Sequence, residues 1–309
     1  LIWCLRDTFM VQWMINYDWS PAKFLMYFPS DGFPLPAGSD VLLKKANYRV
    51  AMSKFAQAQC IDAGMDCEYV PHGVNTKVFY PLSEREKELT RIKWSQRLGI
   101  DLTNKFVIGT VGRMQGRKFH PELFKAVEKF TKGKNDVILI MHCDPNDPAN
   151  PGLNIPHLLK LRNIDHLTRF SGMQFTNGFN EEELRELYNL FDVHALATSG
   201  EGWGIPTMEA MSCGIPNVIT DFTTTKEIVT DHNAGIAVPI KNTITGTYDV
   251  ERGIVDTDKF AEALQKLYDN AKLRKELGDN GRAACLKDYD FDKVVYPMWL
   301  ELLKRVLDK

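Results

Sequence analysis

Short apolar runs alternate with amphipathic stretches over the C-terminal two thirds of the chain. Two of these runs, Phe106–Gly112 and Asp136–Cys143, are continuous and rich in β-branched residues, as strands buried in a parallel sheet are. Between them, Pro121–Thr131 places its apolar residues on one face of a helix. This alternation of strand and helix predicts an α/β protein built on a doubly wound parallel sheet.

The same alternation continues to the end of the chain. Pro297 lies inside the last predicted helix, and its missing N–H predicts a kink or a break there. The further predicted strands are Leu167–Ser171, Asp192–Thr198, Asn217–Thr220 and Gly235–Val238. The further predicted helices are Glu181–Leu190, Pro206–Ser212, Thr257–Asn270, Ala271–Leu277, Gly281–Asp288 and Phe291–Leu307.

The first 80 residues predict a second, smaller set of strands and helices. A chain of 309 residues usually divides into two domains, each with its own core. Residues Leu1–Asn16 match neither a signal peptide nor a first strand–helix unit, so we expect further residues to precede Leu1. The predicted strands are Lys23–Phe28, Tyr48–Met52 and Cys67–Pro71, the predicted helices are Asp40–Lys45 and Lys54–Ala63, and Pro81–Asn104 is a charged connection.

Composition narrows the classes of function. The chain has 38 basic and 40 acidic side chains, which give a formal charge of −2. This balance lacks the basic stripe of a nucleic-acid-binding protein, so we expect no nucleic acid partner. The six cysteines are scattered and form no CxxC pair, which favours a reduced, cytoplasmic setting. No apolar run approaches the ~20 residues that span a bilayer.

The segment with the most chemical content is Ser199–Pro216, SGEGWGIPTMEAMSCGIP. It leaves a predicted strand, turns through three glycines and enters a helix with Pro206 near its first position, where proline is tolerated. Glycines let the backbone approach a ligand closely, and the free N–H groups at a helix start favour an anion. Glu201 and Glu209 bracket the turn, so both can face a cleft at the C-terminal ends of the strands.

The glycines alone also fit a purely structural turn, with Glu209 complementing the dipole of the helix. The combination of residues is more specific. Glu-Gly-Trp-Gly-Ile-Pro-x-Met-Glu-Ala-Met-Ser-Cys-Gly-Ile-Pro resembles the signature of the retaining glycosyltransferases of family 4, the glycosyl transferase group 1 family. The resemblance is strongest over Lys105–Val229. It implies the GT-B fold, in which two Rossmann-like domains face each other across a cleft.

The resemblance implies roles for the residues of this segment. Glu201 would lie beside the donor sugar, and Glu209 would accept hydrogen bonds from the ribose hydroxyls of the donor. The residues between them would lie with their backbone amides along the sugar and the diphosphate. These donor-binding residues are Gly202, Trp203, Gly204 and Ile205.

A second set of residues supports the resemblance. The predicted strand Phe106–Gly112 is followed by Arg113-Met-Gln-Gly-Arg-Lys118, and family members carry an arginine and a lysine at this spacing to hold the donor diphosphate. A nucleoside diphosphate gains negative charge as the glycosidic bond breaks, and fixed cations stabilise that charge. Arg113 and Lys118 are therefore predicted to bind the donor and to take part in catalysis, with Arg117 as their neighbour. A solvated basic loop is the structural alternative.

Residues Phe170–Phe175 occupy the position where the family forms a loop around the nucleotide base. Backbone groups make the contacts with the base in the family. Gly172 and Met173 are therefore predicted to contact the donor, and their side chains do not indicate which base is bound.

Two residues of the first 80 depart from the family's pattern. Asp31 stands where many members have a histidine that contacts the donor sugar. We assign Asp31 to the catalytic site on the acceptor side, and an Asx turn before Gly32 is the structural alternative. His72 replaces the family's usual asparagine, and a structural role is favoured for it over a catalytic one.

The resemblance also sets the predicted domain organisation. We expect an N-terminal, acceptor-side Rossmann-like domain over residues 1–82 and a donor domain with its linker over residues 83–288. A C-terminal helix over residues 289–309 is expected to pack back toward the first domain. GT-B enzymes usually begin with a strand and a glycine-rich loop that touches the donor phosphates, and no segment here matches that loop. We therefore expect the N-terminal domain to be incomplete.

The predicted function is the transfer of a hexosyl unit from a nucleotide-diphosphate sugar to an acceptor, with retention of configuration. The acceptor is left open among sugars, lipids and proteins, and so is a peripheral association with the cytoplasmic face of a membrane. We expect no cofactor and no metal, since His120 and His142 lack partners at metal-ligand spacing. Two alternatives remain: a protein that binds a nucleotide sugar without transferring it, and a GT-B epimerase or phosphorylase.

Overall fold

The N-terminal part of the chain forms a four-stranded parallel sheet in the computed structural model, which describes residues 1–150, 152–174 and 176–307. The strands of this N-terminal sheet lie side by side in chain order, and a 3-10 helical segment, Thr8–Asn16, follows the first. Its elements are β1 (Ile2–Leu5), β2 (Phe24–Phe28), α1 (Ser39–Lys45), β3 (Tyr48–Ala51), α2 (Lys54–Asp62) and β4 (Glu68–Tyr69).

The rest of the chain forms a six-stranded parallel sheet, the C-terminal sheet, whose helices lie on both faces. Helix α3 (Glu84–Leu98) leads into it and begins with a capping box formed by Ser83 and Glu86. The following elements are β5 (Phe106–Val111), α4 (His120–Thr131), β6 (Val137–His142), α5 (Ile155–Leu161), β7 (Thr168–Phe170), α6 (Glu181–Asn189), β8 (Val193–Leu196), α7 (Ile205–Ser212), β9 (Asn217–Thr220) and β10 (Gly235–Val238).

An antiparallel hairpin and the final helices complete the described chain. The hairpin consists of β11 (Ile240–Thr245) and β12 (Glu251–Val255). It is followed by α8 (Thr257–Asp269), α9 (Ala271–Ala284) and α10 (Tyr296–Leu307). Short 3-10 segments lie at Gly116–Lys118, Asp165–Leu167 and Thr247–Asp249, and π-helical turns lie at Lys226–Thr230, Cys285–Tyr289 and Phe291–Val295.

The strands of the C-terminal sheet bury both of their faces, which explains their uninterrupted apolar runs. Successive residues of a strand point to opposite faces. Ile108 and Leu139 therefore join the core on the side of α4 and α8, while Val107 and Ile140 join the core on the opposite side, with residues of α6 and α7. The strand order is β10-β9-β8-β5-β6-β7, so β5 and β8 are neighbours at the centre of the sheet. Ligands of such sheets bind beyond the carboxyl ends of the strands.

The last helix packs against the N-terminal sheet. Val295, Trp299 and Leu302 share a buried cluster with Leu25 and Tyr27 of β2. The rings of Trp299 and Tyr27 meet edge to face with their centroids 4.8 Å apart. The C-terminal end of the chain therefore ties the two sheets together.

The structure corrects several boundaries predicted from the sequence. Residues Leu1–Asn16 do contain a strand, because Ile2 to Leu5 pair in parallel with Phe24 to Tyr27, and this strand is too short to show a hydrophobic period. The predicted helices Ala271–Leu277 and Gly281–Asp288 are wrong as separate helices. Helix α9 runs through Gly278 and Gly281, which lie close to Gly214 and Met211 and so allow close packing.

Other segments were predicted incompletely. The last helical segment begins with the π-helical turn Phe291–Val295, which α10 follows directly, so the helix does not break at Pro297, the second residue of α10. Helix α5 and the hairpin β11–β12 were not predicted. Of the helices in the described part of the chain, none is long and apolar enough to cross a membrane.

Gly109 in β5 is expected to be intolerant of a side chain. A Cβ at this position would enter the ring of Phe191, which is buried beneath the sheet. We expect Gly109→Ala to lower the free energy of unfolding by about 1–3 kcal/mol, as overpacking of a core does. Urea denaturation checks this. The matched control is Gly178→Ala, whose Cβ would meet no atom within 4 Å and should change stability by less than about 0.5 kcal/mol. Equal stabilities of the two variants would contradict the prediction.

Candidate active site

Two loops that follow neighbouring strands build the candidate site. The loop after β5 carries Arg117 and Lys118, and the glycine-rich turn after β8 carries Glu201. Because β5 and β8 pair in parallel, their C-terminal ends meet at the same edge of the sheet. The backbone N–H of Ser199 donates to the carbonyl oxygen of Arg117 at 2.7 Å and so fixes the two loops together.

Glu201 is buried and is held by two cations. Lys118 Nζ lies 2.7 Å from Glu201 Oε1, and an Arg117 guanidinium nitrogen lies 3.0 Å from the same oxygen. Burial alone would raise the pKa of Glu201, but Arg117 and Lys118 outweigh it and lower this pKa to about 2. Burial lowers the pKa of Lys118, and Glu201 opposes that effect. The carboxyl group is therefore anionic at every ordinary pH.

Asp31, from the loop after β2, joins this cluster from the N-terminal sheet. Its carboxylate lies 3.4 Å from Arg117 Nε and 2.9 Å from a guanidinium nitrogen of Arg252, a residue of β12. Asp7 lies close by: burial raises its pKa, the negative charge of Asp31 raises it further, and Arg117 and Arg252 oppose both effects. Three acids and three cations thus meet where the two sheets face each other.

The glycine-rich turn touches the N-terminal sheet's loop so closely that side chains would not fit. A Cβ on Gly200 would overlap the carbonyl oxygen of Asp31, and one on Gly202 would overlap the ring of Pro29. Gly204 has a φ of 101° and precedes the first residue of α7, a backbone conformation that disfavours other residues. The glycines are therefore required by close approach and by backbone conformation.

Glu209 lies one helical turn into α7. Tyr188 of α6 donates a hydrogen bond from its hydroxyl to Glu209 Oε2 at 2.7 Å. Burial raises the pKa of Glu209 to about 7, and this hydrogen bond acts in the opposite direction. Glu201 and Glu209 thus differ strongly in their tendency to ionise, because only Glu201 has cations beside it.

Arg113 is placed in an ion pair that the sequence did not predict. Its Nε and one terminal nitrogen lie 2.9 and 2.7 Å from the two carboxylate oxygens of Asp147, whose side chain is fully buried. The hydrogen bond from Arg113 lowers the pKa of Asp147. Asp147, in the loop after β6, therefore orients Arg113.

The remaining predicted donor residues lie in different surroundings, some buried, some exposed and some beyond the edge strand of the sheet. The ring of Trp203 is buried against Tyr289, so only the backbone of Trp203 can face a ligand, while the Ile205 side chain is exposed. Gly172 and Met173 lie in the loop after the edge strand β7, and Phe175 lies outside the described residues.

The histidines singled out from the sequence lie in buried or half-buried surroundings. Burial lowers the pKa of His72, whose Nδ1 is 3.3 Å from the carbonyl oxygen of Gly73. Burial also lowers the pKa values of His120 and His142 to about 4. Within the part of the chain that the structure describes, no three His, Cys, Asp or Glu side chains are arranged to hold a metal ion.

A match to a protein-family model shows which family the chain belongs to. The model of the group 1 glycosyl transferases matches residues 90–284, which include both loops of the candidate site. The chain belongs to the group 1 glycosyl transferases. The resemblance that Glu201, Glu209, Arg113 and Lys118 suggested is thereby confirmed at the level of the family.

One curated relative and two solved structures illustrate the relationship. The chain is 26% identical over 246 residues to the D-inositol 3-phosphate glycosyltransferase of Corynebacterium urealyticum, a match that covers 76% of this chain and 56% of the relative. The chain thus spans about half the length of the curated relatives it matches.

Among solved structures, sucrose-phosphate synthase from Thermosynechococcus elongatus superposes with a TM-score of 0.78 and 18% identity, over 99% of this chain and 74% of that one. Anabaena HepE, solved with UDP and glucose, superposes with a TM-score of 0.72 and 16% identity, over 91% and 72% of the two chains. The α/β fold with two parallel sheets is therefore that of GT-B glycosyltransferases, as predicted.

Four residues of this group 1 glycosyl transferase were not recognised as parts of the site from the sequence. Tyr188 and Asp147 act through contacts that only the packing of α6 and of the loop after β6 creates. Arg117 was named only as a neighbour, and Arg252 was not named. A signal for Arg252 did exist, since two β-branched runs flank a glycine-containing turn over residues 240–255, which is typical of a hairpin.

We expect the raised pKa of Glu209 to make the free energy of unfolding decrease as the pH rises. Its pKa is about 7 in the folded chain against 4.5 for an ordinary glutamate, so the folded state binds more protons between these values. The contribution of Glu209 to stability is therefore present below about pH 4.5 and lost as the pH rises toward 7. Glu209→Gln removes this loss. We expect the variant to gain stability relative to the wild type from pH 5 to pH 8, as measured by urea denaturation. A difference that stays constant with pH would contradict the raised pKa.

Proposed function

We propose that this chain carries the donor site of a retaining glycosyltransferase that moves a hexosyl unit from a nucleoside diphosphate sugar to an acceptor. The observation that carries the proposal is the contact of Lys118 and Arg117 with Glu201 at the carboxyl ends of β5 and β8. This contact lies within the segment that the family model matches. The complex of Anabaena HepE with UDP and glucose supports a uridine-type donor and a hexosyl group as the first candidates.

The charge arrangement suits the reaction. As the bond between the sugar's anomeric carbon and the diphosphate oxygen breaks, positive charge develops on the sugar ring and negative charge on the leaving group. Glu201 offers a permanent negative charge, and Lys118 and Arg117 lie within 3.0 Å of it. Opposite fixed charges therefore stand side by side where opposite charges develop. Because the cluster is buried, these charges act with little screening by water.

Lys118 and the turn after β8 would hold the diphosphate. An ammonium group has three N–H donors, and within the described residues Lys118 Nζ makes one hydrogen bond, to Glu201. The other donors can reach phosphate oxygens. The backbone N–H groups at the start of α7 lie at the positive end of the helix dipole, which favours the same anion. Arg113, oriented by Asp147, is the third proposed cation.

Glu209 would bind the ribose of the donor. Its Oε2 accepts a hydrogen bond from the hydroxyl of Tyr188, and this contact orients the carboxylate. The proposed role requires the ionised form, which accepts hydrogen bonds from two neighbouring hydroxyls. The predicted residues Gly202 to Ile205 lie between Glu201 and Glu209 along the turn, in the order that a sugar, a diphosphate and a ribose require.

The acceptor would enter from the side of the N-terminal sheet. Asp31 lies on that side of Glu201, and we propose that it borders the acceptor position. We retain the organisation into an N-terminal acceptor-side unit over residues 1–82, a donor unit over residues 83–288 and a returning C-terminal segment as part of this proposal. Retention of configuration rests on the family, whose members share this signature.

Nucleoside diphosphates are expected to stabilise the chain. A ligand at 100 times its dissociation constant adds about 2.7 kcal/mol to the free energy of unfolding. We expect one base among a panel of nucleoside diphosphates to raise the melting temperature selectively. Glu209→Ala should abolish the shift, whereas Glu276→Ala, an exposed carboxylate on α9, should keep it. No shift with any nucleotide in the wild type would contradict the donor site.

Transfer is expected to depend on the buried ion pair. Each charge-assisted hydrogen bond contributes roughly 1.5–3 kcal/mol. Glu201→Gln and Lys118→Met should therefore each slow cleavage of the bond between the sugar and the nucleoside diphosphate about 10- to 100-fold. Release of the diphosphate is followed directly, and circular dichroism checks the fold. Lys287→Met removes an exposed cation and should leave the rate unchanged. Nearly normal rates in Glu201→Gln and Lys118→Met would contradict the assignment. Nucleotide binding without turnover in the wild type would favour a binding protein instead.

A further inference from the structure

The hairpin β11–β12 joins the two halves of the molecule. It leaves the C-terminal sheet after β10 and lies against the loop that follows β2 in the N-terminal sheet. The backbone N–H of Glu251 donates to the carbonyl oxygen of Phe33 at 2.7 Å. The backbone N–H of Gly253 donates to the carbonyl oxygen of Ser199 at 3.0 Å. Strand β12 therefore bonds to the loop after β2 and to the turn after β8 that carries Glu201.

The tip of the hairpin makes a separate contact with the N-terminal part. The rings of Tyr248 and Phe9 stack with their centroids 4.4 Å apart, and the N–H of Ala37 donates to the carbonyl oxygen of Tyr248 at 3.3 Å. Tyr248 has a φ of 64°, in the left-handed region that a non-glycine residue rarely adopts. The tip thus contacts the N-terminal part through Tyr248, independently of the Arg252 side chain.

Arg252 lies between the two backbone bonds of β12. One of its guanidinium nitrogens is 2.9 Å from Asp31 Oδ1 and 2.6 Å from the carbonyl oxygen of Asp31. The Arg252 side chain is only 15% exposed. A guanidinium that binds the backbone and the carboxylate of one residue fixes both the position and the orientation of that carboxylate.

Asp31 passes this constraint on to the donor site. Its second oxygen faces Arg117, which in turn contacts Glu201 and donates to the carbonyl oxygen of Gly200 at 3.0 Å. Without Arg252, Arg117 would be the one cation among the described residues that still pairs with the carboxylate of Asp31. Arg117 would then be drawn toward Asp31 and away from Glu201, because an unpaired, mostly buried carboxylate is strongly unfavourable.

We propose that Arg252 is a positioning residue for the transfer reaction: by holding Asp31, it keeps Arg117 on Glu201 and so maintains the geometry of the donor sugar's position. This inference rests on the proposed function. Arg252 contacts Asp31, on the sugar side of the turn, whereas Lys118 is held by Glu201 and Glu209 by Tyr188. Its loss should therefore affect turnover more than binding of the nucleoside diphosphate.

The test compares variants of the same hairpin. Arg252→Met and Lys241→Met each remove one positive charge, but Lys241 is exposed and lies outside the ionic cluster. A displacement of about 1 Å in a reacting group can lower a rate 100-fold. We expect Arg252→Met to lower kcat about 10- to 100-fold while its Kd for the nucleoside diphosphate changes less than about threefold. Lys241→Met should match the wild type. Arg252→Lys, which keeps the charge, should recover part of the lost kcat.

A fourth variant separates positioning from simple clamping of the hairpin. Tyr248→Ala removes the stacking on Phe9 and leaves Arg252 in place. If Tyr248→Ala lowers kcat as much as Arg252→Met, the hairpin acts as a clamp and the positioning role is wrong. Equal kcat values for Arg252→Met and Lys241→Met would also overturn it. A wild type that neither binds nor turns over any nucleotide sugar overturns the proposed function itself, and this inference with it.

Discussion

The buried carboxylate of Glu201 is the constraint around which the site is built. A buried charge is strongly unfavourable unless it is paired, so Lys118 and Arg117 must lie beside it. Those two cations come from the loop after β5, and Glu201 comes from the turn after β8. The ion pairs therefore require that β5 and β8 be neighbours, as the crossover topology of the sheet makes them. Asp31 and Arg252 extend the same requirement to the N-terminal sheet and to the hairpin.

The two glutamates of the signature have the same side chain but different pKa values, because their surroundings differ. Glu201 has cations next to it and a pKa of about 2, whereas Glu209 has a tyrosine hydroxyl and a pKa of about 7. Glu201 is buried and Glu209 is half-buried. The difference arises from their neighbours, because opposite charges stabilise a carboxylate far more than one neutral hydrogen bond does. Under the proposed function, a permanent anion suits the position beside a developing positive charge, and a hydrogen-bond acceptor suits a ribose.

Two glycines in the turn after β8 and the last helix, α10, allow the two sheets to make contact. Gly200 and Gly202 let the loop of Pro29 and Asp31 reach the turn after β8. Trp299 of α10 packs on one side of β2, and helix α1 packs on the other side. Trp299 thereby anchors the C-terminal segment to the N-terminal sheet. The chain spans about half the length of the curated relatives it matches, and these contacts are formed within that span.

The sequence by itself predicted the strands of the C-terminal sheet, most of its helices and the glycine-rich turn, and the family resemblance singled out Arg113, Lys118, Glu201 and Glu209 as candidate site residues. The strands, the helices and the turn are local features, because they depend on hydrophobic period, on backbone conformation and on short spacings. Tertiary structure alone decided the partners of those residues. Asp147 lies 34 residues from Arg113 along the chain, and Arg252 lies 221 residues from Asp31. Ion pairs over such separations depend on how the sheets and the hairpin pack, and no local pattern in the chain specifies that packing.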